Sequence, residues 1–274
     1  MPELPEVETL RRSLLTRLVG RRIEEVEVRE RRLRYRVDVR RLRRDVRGRR
    51  VEDVRRRAKY LLIHLEGDRR LVIHLGMSGR LLVEPAGDAL ADHVHVVFLL
   101  DDGMELRFRD HRRFGLVDSL KGCEVSRDRR FARLGPEPLS DDCDGAYFHE
   151  RSRGSRKPVK NFLMDSHQVV GVGNIYASEA LFLAAVNPRR AAGRVGRATW
   201  DRVAGAVKEV LRAAIRQGGT TLNDFQNAAG EEGTFQVSLR VYGREGEPCS
   251  RCGRPIRRTV LAGRSTFHCT RCQR

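Results

Sequence analysis

Leu4, Val7, Leu10, Leu14 and Leu18 recur three and four residues apart up to Gly20. That period predicts a helix of roughly four turns with one apolar face. Pro5 is tolerated in its first turn, and Glu3, Glu6 and Glu8 put negative charge where a helix N-terminus favours it. Beyond it, residues 22 to 119 read as strands: Ile23-Val26-Val28, Leu33-Tyr35-Val37-Val39, Tyr60–Leu65, Leu71–Leu75, Leu81–Val83, Val94–Leu99 and Met104–Phe108. Gly67-Asp68 and Asp102-Gly103 fall between such runs, where hairpin turns need positive φ. An all-β sandwich with the first helix packed on it is expected. The alternation fades between Lys121 and Asp144, across Gly135-Pro136-Glu137-Pro138 and Ser140-Asp141-Asp142. Helical spacing returns at Asp144–Arg151, Val159–Met164, Asn174–Ala184 and Thr199–Gln217, the last closed by Gly218-Gly219. Residues 218 to 242 then form a long polar stretch with glycines, of the kind that is functional or disordered in a compact protein.

Charge changes this picture from a fold to a partner. Lys and Arg number 55 against 37 Asp and Glu, so the formal charge is 55 − 37 = +18. A polyanion is the expected ligand, and nucleic acid the first choice. Only five of the basic residues are lysine, and fifteen arginines crowd between Arg29 and Arg57, interleaved with acids as on a solvated face. No apolar signal core opens the chain and no run of about 18 apolar residues suggests a span, so a cytoplasmic, nucleoid-associated protein, monomeric and without membrane contact, is expected.

Two features carry chemistry. If Met1 is removed, Pro2 becomes a free secondary amine. An α-amino group titrates near ~7.7–8.0, so a fraction on the order of a tenth is neutral and nucleophilic at pH 7. Glu3 and Glu6 share a helix face beside it and can serve as proton donor or acceptor. An acidic first turn is by itself ordinary dipole compensation, so this reading needs support from the rest of the chain. The second feature is Cys249-x2-Cys252, sixteen intervening residues, then Cys269-x2-Cys272, the spacing of a four-cysteine zinc ribbon. Four thiolates close the shell, so one structural zinc ion is expected. Cys123 and Cys143 receive no role.

Met1 to Leu10 resembles the N-terminus of formamidopyrimidine-DNA glycosylases, bacterial enzymes that excise oxidised purines, and matching motifs recur to the last residues. The resemblance implies that Pro2 attacks the sugar carbon of the damaged nucleoside, that Glu3 is the general acid and that Glu6 orders the proton network. In Arg57-Ala58-Lys59-Tyr60, where the family often has glycine for Ala58, it places Lys59 at a phosphate beside the lesion. His74-Leu75-Gly76-Met77-Ser78-Gly79 would present Met77 at a turn, with His74 on the DNA side. Asp110-His111-Arg112-Arg113-Phe114-Gly115 resembles the family's Asp-Pro-Arg-Arg-Phe-Gly, with Phe114 as wedge and Arg112 at the orphaned base. Eversion of a base costs a few kcal/mol, which such a trio offsets. Val170-Gly171-Val172-Gly173-Asn174 looks like the family's helix–two-turn–helix element, with Asn174 on a phosphate. Lys157 falls at the family's Lys-Pro pair, and Arg264 at the ribbon-tip position that reaches a flanking phosphate. Residues 218 to 242 would close over the extruded base.

The fold expected is thus α+β: an N-terminal catalytic β-sandwich domain over 1–131, a helical DNA-binding domain over 132–246 and a four-cysteine zinc finger over 247–274. The resemblance implies a bifunctional glycosylase and abasic-site lyase acting by β,δ-elimination on double-stranded DNA with oxidised bases or abasic sites. Two rivals are an endonuclease VIII-type enzyme for oxidised pyrimidines, which typically has glycine where Leu4 stands, and a non-enzymatic zinc-containing DNA-binding protein with no use for the Pro2 amine.

Overall fold

Helix α1 (Leu4–Leu18) forms where the apolar spacing placed it, and Leu4, Val7, Leu10, Leu14 and Leu18 are all at most 1% exposed. At about 2 kcal/mol for each buried side chain, roughly 10 kcal/mol of transfer free energy anchors the chain's first turns. The structure, a computed structural model, describes residues 2–220, 228 and 235–274. It divides into two units, 1–132 with 217–234, and 133–216 with 235–274.

In the first unit eight strands run in the order β5-β7-β6-β1-β2-β3-β4-β8. They are β1 (Arg22–Val28), β2 (Arg49–Arg57), β3 (Tyr60–Leu65), β4 (Arg69–His74), β5 (Arg80–Pro85), β6 (Val94–Leu100), β7 (Met104–Arg109) and β8 (Leu116–Lys121). The β1–β2 seam is held by two residue pairs only, Arg22↔Arg50 and Ile23↔Arg49. Two four-stranded halves meet there, and their inner faces share one core with α1: Val83, Phe98 and Phe108 from one, Val54, Ile63 and Ile73 from the other. This is the sandwich expected.

Three elements depart from the sequence reading, and one of them, β8, lies beyond the last strand expected, Met104–Phe108. The strand expected over Leu33–Val39 is a loop, and helix α2 (Val39–Val46) follows it. Asp38 caps α2 by accepting the Arg41 N–H at 3.0 Å, and Leu42 and Val46, four apart, form its buried edge. Strand β2 lay hidden in the arginine run because a bulge between Val51 and Asp53 puts its two inward valines three apart instead of two.

The second unit holds α3 (Gly145–Ser152), α4 (Val159–Leu163), α5 (Asn174–Leu183) and α6 (Arg197–Arg216), each within two residues of its expected bounds. Asp144 caps α3 by accepting the Tyr147 N–H at 2.8 Å. Trp200 of α6 stacks on Phe148, 5.2 Å between centroids, and donates its indole N–H to Ser152 Oγ at 3.0 Å. Strands β9 (Arg257–Leu261) and β10 (Arg264–His268) form the ribbon hairpin, whose Ile256 and Phe267 pack on Phe182 of α5. Among the described residues no helix is long and apolar enough to cross a membrane.

Candidate active site and nucleic-acid interface

Glu3 is the N-cap of α1, so Pro2 sits immediately before the helix. Glu3 and Glu6 are 3% and 2% exposed. Glu6 Oε2 accepts the Glu3 N–H at 2.8 Å, and its Oε1 accepts the Thr220 N–H at 2.8 Å. One buried carboxylate therefore ties the residue after Pro2 to the turn that follows α6. That turn takes a left-handed backbone at Gly219, φ +84°, which favours glycine, and an added Cβ would crowd Glu6 at 3.2 Å. On the next turn, Glu8 pairs with Arg11 at 2.8 Å and Arg12 at 3.0 Å. Burial works against its charge, but these arginines and Arg56 hold the carboxyl below its usual range.

Lys59 lies in the two-residue β2–β3 turn, half-buried, after Ala58 with φ of +55°. The family's frequent glycine at that position answers this left-handed backbone. His74, 8% exposed, packs its ring 4.7 Å from Tyr60. Burial, with the positive charges of Arg34 and Lys59, pushes its pKa down to about 4. The neutral ring accepts the Gly76 N–H at Nδ1 (2.9 Å), which leaves Nε2 as the protonated nitrogen. His74 thus fixes the turn that carries Met77.

Met77 and Phe114 stand 41% and 46% exposed, unusual for large apolar side chains and opposite to a core role. Their loops are bound together by Asp110, which is fully buried. It accepts Ser78 Oγ–H at 2.5 Å from the Met77 loop and the Gly115 N–H at 2.7 Å from the Phe114 loop. The contact is tight enough that a Cβ on Gly76 would lie 2.4 Å from the Phe114 carbonyl carbon. The Arg112 guanidinium carbon sits 4.9 Å from the Phe114 ring centroid, so cation and ring form one exposed unit. His111 is exposed, and it is Asp110 that holds the loop.

In the second unit Asn174 begins α5 after Gly173 and donates from Nδ2 to the Tyr242 hydroxyl at 3.4 Å, while its buried Oδ1 meets no donor among the described residues. Glu179, one helix turn on, accepts the N–H groups of Arg240, Val241 and Tyr242 at 2.8–2.9 Å. Burial is the largest influence on its pKa and raises it, against those three bonds. Lys157 is exposed and pairs with Asp165 at 3.0 Å. Lys160, fully buried, donates to Ser265 O at 2.9 Å and Thr266 Oγ1 at 2.8 Å, fixing the hairpin that carries Arg264. Arg264 follows a tight turn at Ala262 and Gly263, φ +45° and +71°, and is exposed. Asp110, Glu179 and Lys160 were not singled out from the sequence. The one signal was for Lys160, as a scarce lysine among the apolar Val159, Phe162 and Leu163.

The four ribbon cysteines converge, with every Sγ within 4.8 Å of the others. Cys252 and Cys269 are 3.5 Å apart and Cys249 and Cys272 4.0 Å. Tetrahedral zinc with bonds near 2.3 Å needs sulfur separations of roughly 3.8 Å, so the set fits one ion and leaves no position for a water. Cys123 and Cys143 lie apart from it as free thiols, one exposed and one buried. Of the stretch from 218 to 242, residues 221–227 and 229–234 lie outside the described residues, and the expected closing role falls largely on them.

Residues 1–117 match the formamidopyrimidine-DNA glycosylase N-terminal domain, 134–226 the formamidopyrimidine-DNA glycosylase H2TH domain, and 246–274 a zinc finger found in FPG and IleRS. Over the full length of both chains the sequence is 52% identical to the formamidopyrimidine-DNA glycosylase of Halorhodospira halophila. Among solved structures, an FPG mutant of Lactococcus lactis in complex with Fapy-dG-containing DNA superposes with a TM-score of 0.93 at 32% identity, covering 100% of each chain. The MutM (FPG) protein of Thermus thermophilus gives 0.89 at 40% identity, covering 99% of this chain and 98% of the other.

Proposed function

The chain belongs to the formamidopyrimidine-DNA glycosylase family, and on that premise we propose that Pro2, freed by loss of Met1, is its nucleophile. The enzyme is a base-excision-repair glycosylase and abasic-site lyase for oxidised purines in duplex DNA. The Pro2 nitrogen attacks C1′, the N-glycosyl bond breaks with its electron pair leaving on the base, and the proton shed by the Pro2 nitrogen passes to that base. Glu3 gives a proton to the ring oxygen as the sugar opens, which leaves an iminium between Pro2 and C1′. Loss of the C2′ proton then expels the 3′ phosphate, a second elimination expels the 5′ phosphate, and a one-nucleotide gap remains.

The observation that supports this reading best is the buried Glu6 carboxylate, which uses both oxygens to hold backbone at Glu3 and Thr220. It fixes the N-terminus instead of leaving it to fray, as an amine nucleophile requires. In the same reading Phe114 is the wedge, Arg112 meets the orphaned base and Met77 fills the gap. His74 supports the Met77 turn, and Lys59, Lys157, Asn174 and Arg264 hold the phosphate backbone. The protein acts as a monomer in the cytoplasm, on the nucleoid.

The test is product analysis on a duplex with one 8-oxoguanine opposite cytosine, beside a thymine-glycol duplex. Single-turnover cleavage of the first should yield the gapped product and fall about 10²–10⁴-fold in Glu3→Gln. Cleavage unchanged in a preparation that retains Met1, where the Pro2 nitrogen is an amide, would remove the mechanism, and faster cleavage of the thymine-glycol duplex would move the enzyme to oxidised pyrimidines.

A further inference from the structure

The arginine-rich segment before α2 folds over one end of the sandwich and leaves a cleft of about 510 Å³ lined by Tyr35, Arg36, Tyr60 and Arg129. The floor is a chain of ion pairs. Asp118 accepts from Arg41 and, at 2.8 Å, from Arg130, and Arg130 also reaches Asp128 at 2.7 Å. The cleft therefore holds four arginines and two carboxylates, and both carboxylates are already engaged by Arg41 and Arg130. Arg36 and Arg129 are exposed and meet no carboxylate among the described residues, so an excess of two positive charges faces the opening. Tyr35 is 60% exposed at its mouth, and Tyr60 presses its ring against Phe131 at 5.0 Å. Two free guanidinium groups with an exposed aromatic ring in a pocket of this size suit a nucleoside phosphate: charge for the phosphate, a ring face for the base.

The position of the cleft narrows the choice. Tyr60 opens β3 directly after Lys59 and packs its ring at a tilt against His74, and Arg34 acts electrostatically on both Tyr60 and His74. The cleft is thus continuous with the Lys59 side of the proposed phosphate track. We propose that it takes a nucleotide flanking the lesion, its phosphate on Arg36 and Arg129 and its base against Tyr35, an inference that rests on the DNA-repair reading above. The arginine run is then more than a solvated face: Arg36 lengthens the DNA footprint beyond the damaged nucleotide.

The test is binding of the full-length enzyme to a duplex bearing a tetrahydrofuran abasic analogue, by anisotropy across a salt series. Each phosphate contact adds about 0.9 to the slope of log affinity against log salt. Arg36→Ser with Arg129→Ser should flatten that slope by about 1 to 2, whereas the equal charge loss Arg212→Ser with Arg216→Ser on α6 should move it less than half as far. Tyr35→Ser should lower affinity about tenfold with the slope unchanged. Trimming the duplex from one end or the other to two pairs beyond the analogue should erase the difference between parent and double variant at one end only. Equal slopes for parent and Arg36/Arg129 variant, or an equal change in the α6 control, overturns the proposal. So does sub-millimolar binding of deoxyadenosine 5′-monophosphate that the double variant loses, which would make the cleft a site for free nucleotides. Borohydride trapping of the parent on 8-oxoguanine DNA is run alongside. Its failure would count against the enzymatic reading, while trapping with unchanged slopes would count against the cleft alone.

Discussion

The Met77 and Phe114 loops and the ribbon tip each present an exposed arginine beside a tight turn, Arg112 in one case and Arg264 in the other, and the two are held by opposite means. Arg112 stands on loops joined by the buried Asp110, which rests on an apolar sandwich that α1 and eight strands supply. Arg264 stands on two short strands whose apolar support is a few side chains, chiefly Phe182, Ile256 and Phe267. A segment that small cannot close its own stability, and four thiolates and a buried lysine take the place of a core. A loop tip can therefore be aimed by a large core under a buried carboxylate or, where no core is available, by a metal.

The largest expected effect separates the two regions. Zinc removal, or Cys252→Ser with Cys272→Ser, takes away on the order of 10 kcal/mol of local folding energy. Limited proteolysis should then cut beyond residue 246 while the sandwich keeps its thermal transition. A ribbon that stays resistant without metal would end the contrast.

Asp110→Ala acts on the other side. It strands the Gly115 N–H and the Ser78 hydroxyl in a buried site and should cost roughly 3 kcal/mol by denaturant titration. Phe114→Ala, by contrast, should leave stability within about 0.5 kcal/mol and slow excision, because the ring is exposed. If Asp110→Ala proved harmless to both stability and excision, the loops would be held by something else.

Acid should also weaken the sandwich. His74 titrates near 6.5 when unfolded and about 4 when folded, so the unfolded chain binds the extra proton between those values and stability rises with pH there. Lowering pH from 6.5 to 4 should cost the sandwich up to about 3 kcal/mol at 1.36 kcal/mol per unit. His64, held down to about 4 by partial burial and then by Arg70 and Arg55, adds to the loss in the same window. A His74→Gln variant should show a flatter stability profile over that range, and an unchanged profile would contradict the assignment. The smallest effect is at Ala58, whose φ of +55° makes Ala58→Gly stabilising by about 0.5–1 kcal/mol in a thermal melt.

What could be read from the sequence follows from the range over which each cause acts. The cysteine quartet and the amphipathic α1 depend on spacing alone, and both stand as expected. The four helices of the second unit do too, with Asp144 marking the start of the first. Strand β2 was invisible because its bulge breaks the two-residue period, and α2 because most of its residues are charged and the alternation of Tyr35, Val37 and Val39 leads into it. Asp110, Glu179 and Lys160 escaped for another reason. A buried polar side chain is defined by partners far along the chain, Lys160 by residues more than a hundred positions away, and no local pattern records them. Glu3 and Glu6 were legible because their partners are one helical turn apart, although the Thr220 end of the Glu6 clasp was not.

The claim at the centre of the account is that the N-terminal amine itself does the chemistry. Its most direct test is borohydride trapping on an 8-oxoguanine duplex, followed by nuclease and protease digestion and tandem mass spectrometry of the linked peptide. The account predicts a reduced sugar remnant on the nitrogen of Pro2 in a peptide lacking Met1. A remnant on Lys59, Lys157 or any other lysine, with Pro2 unmodified, would contradict it.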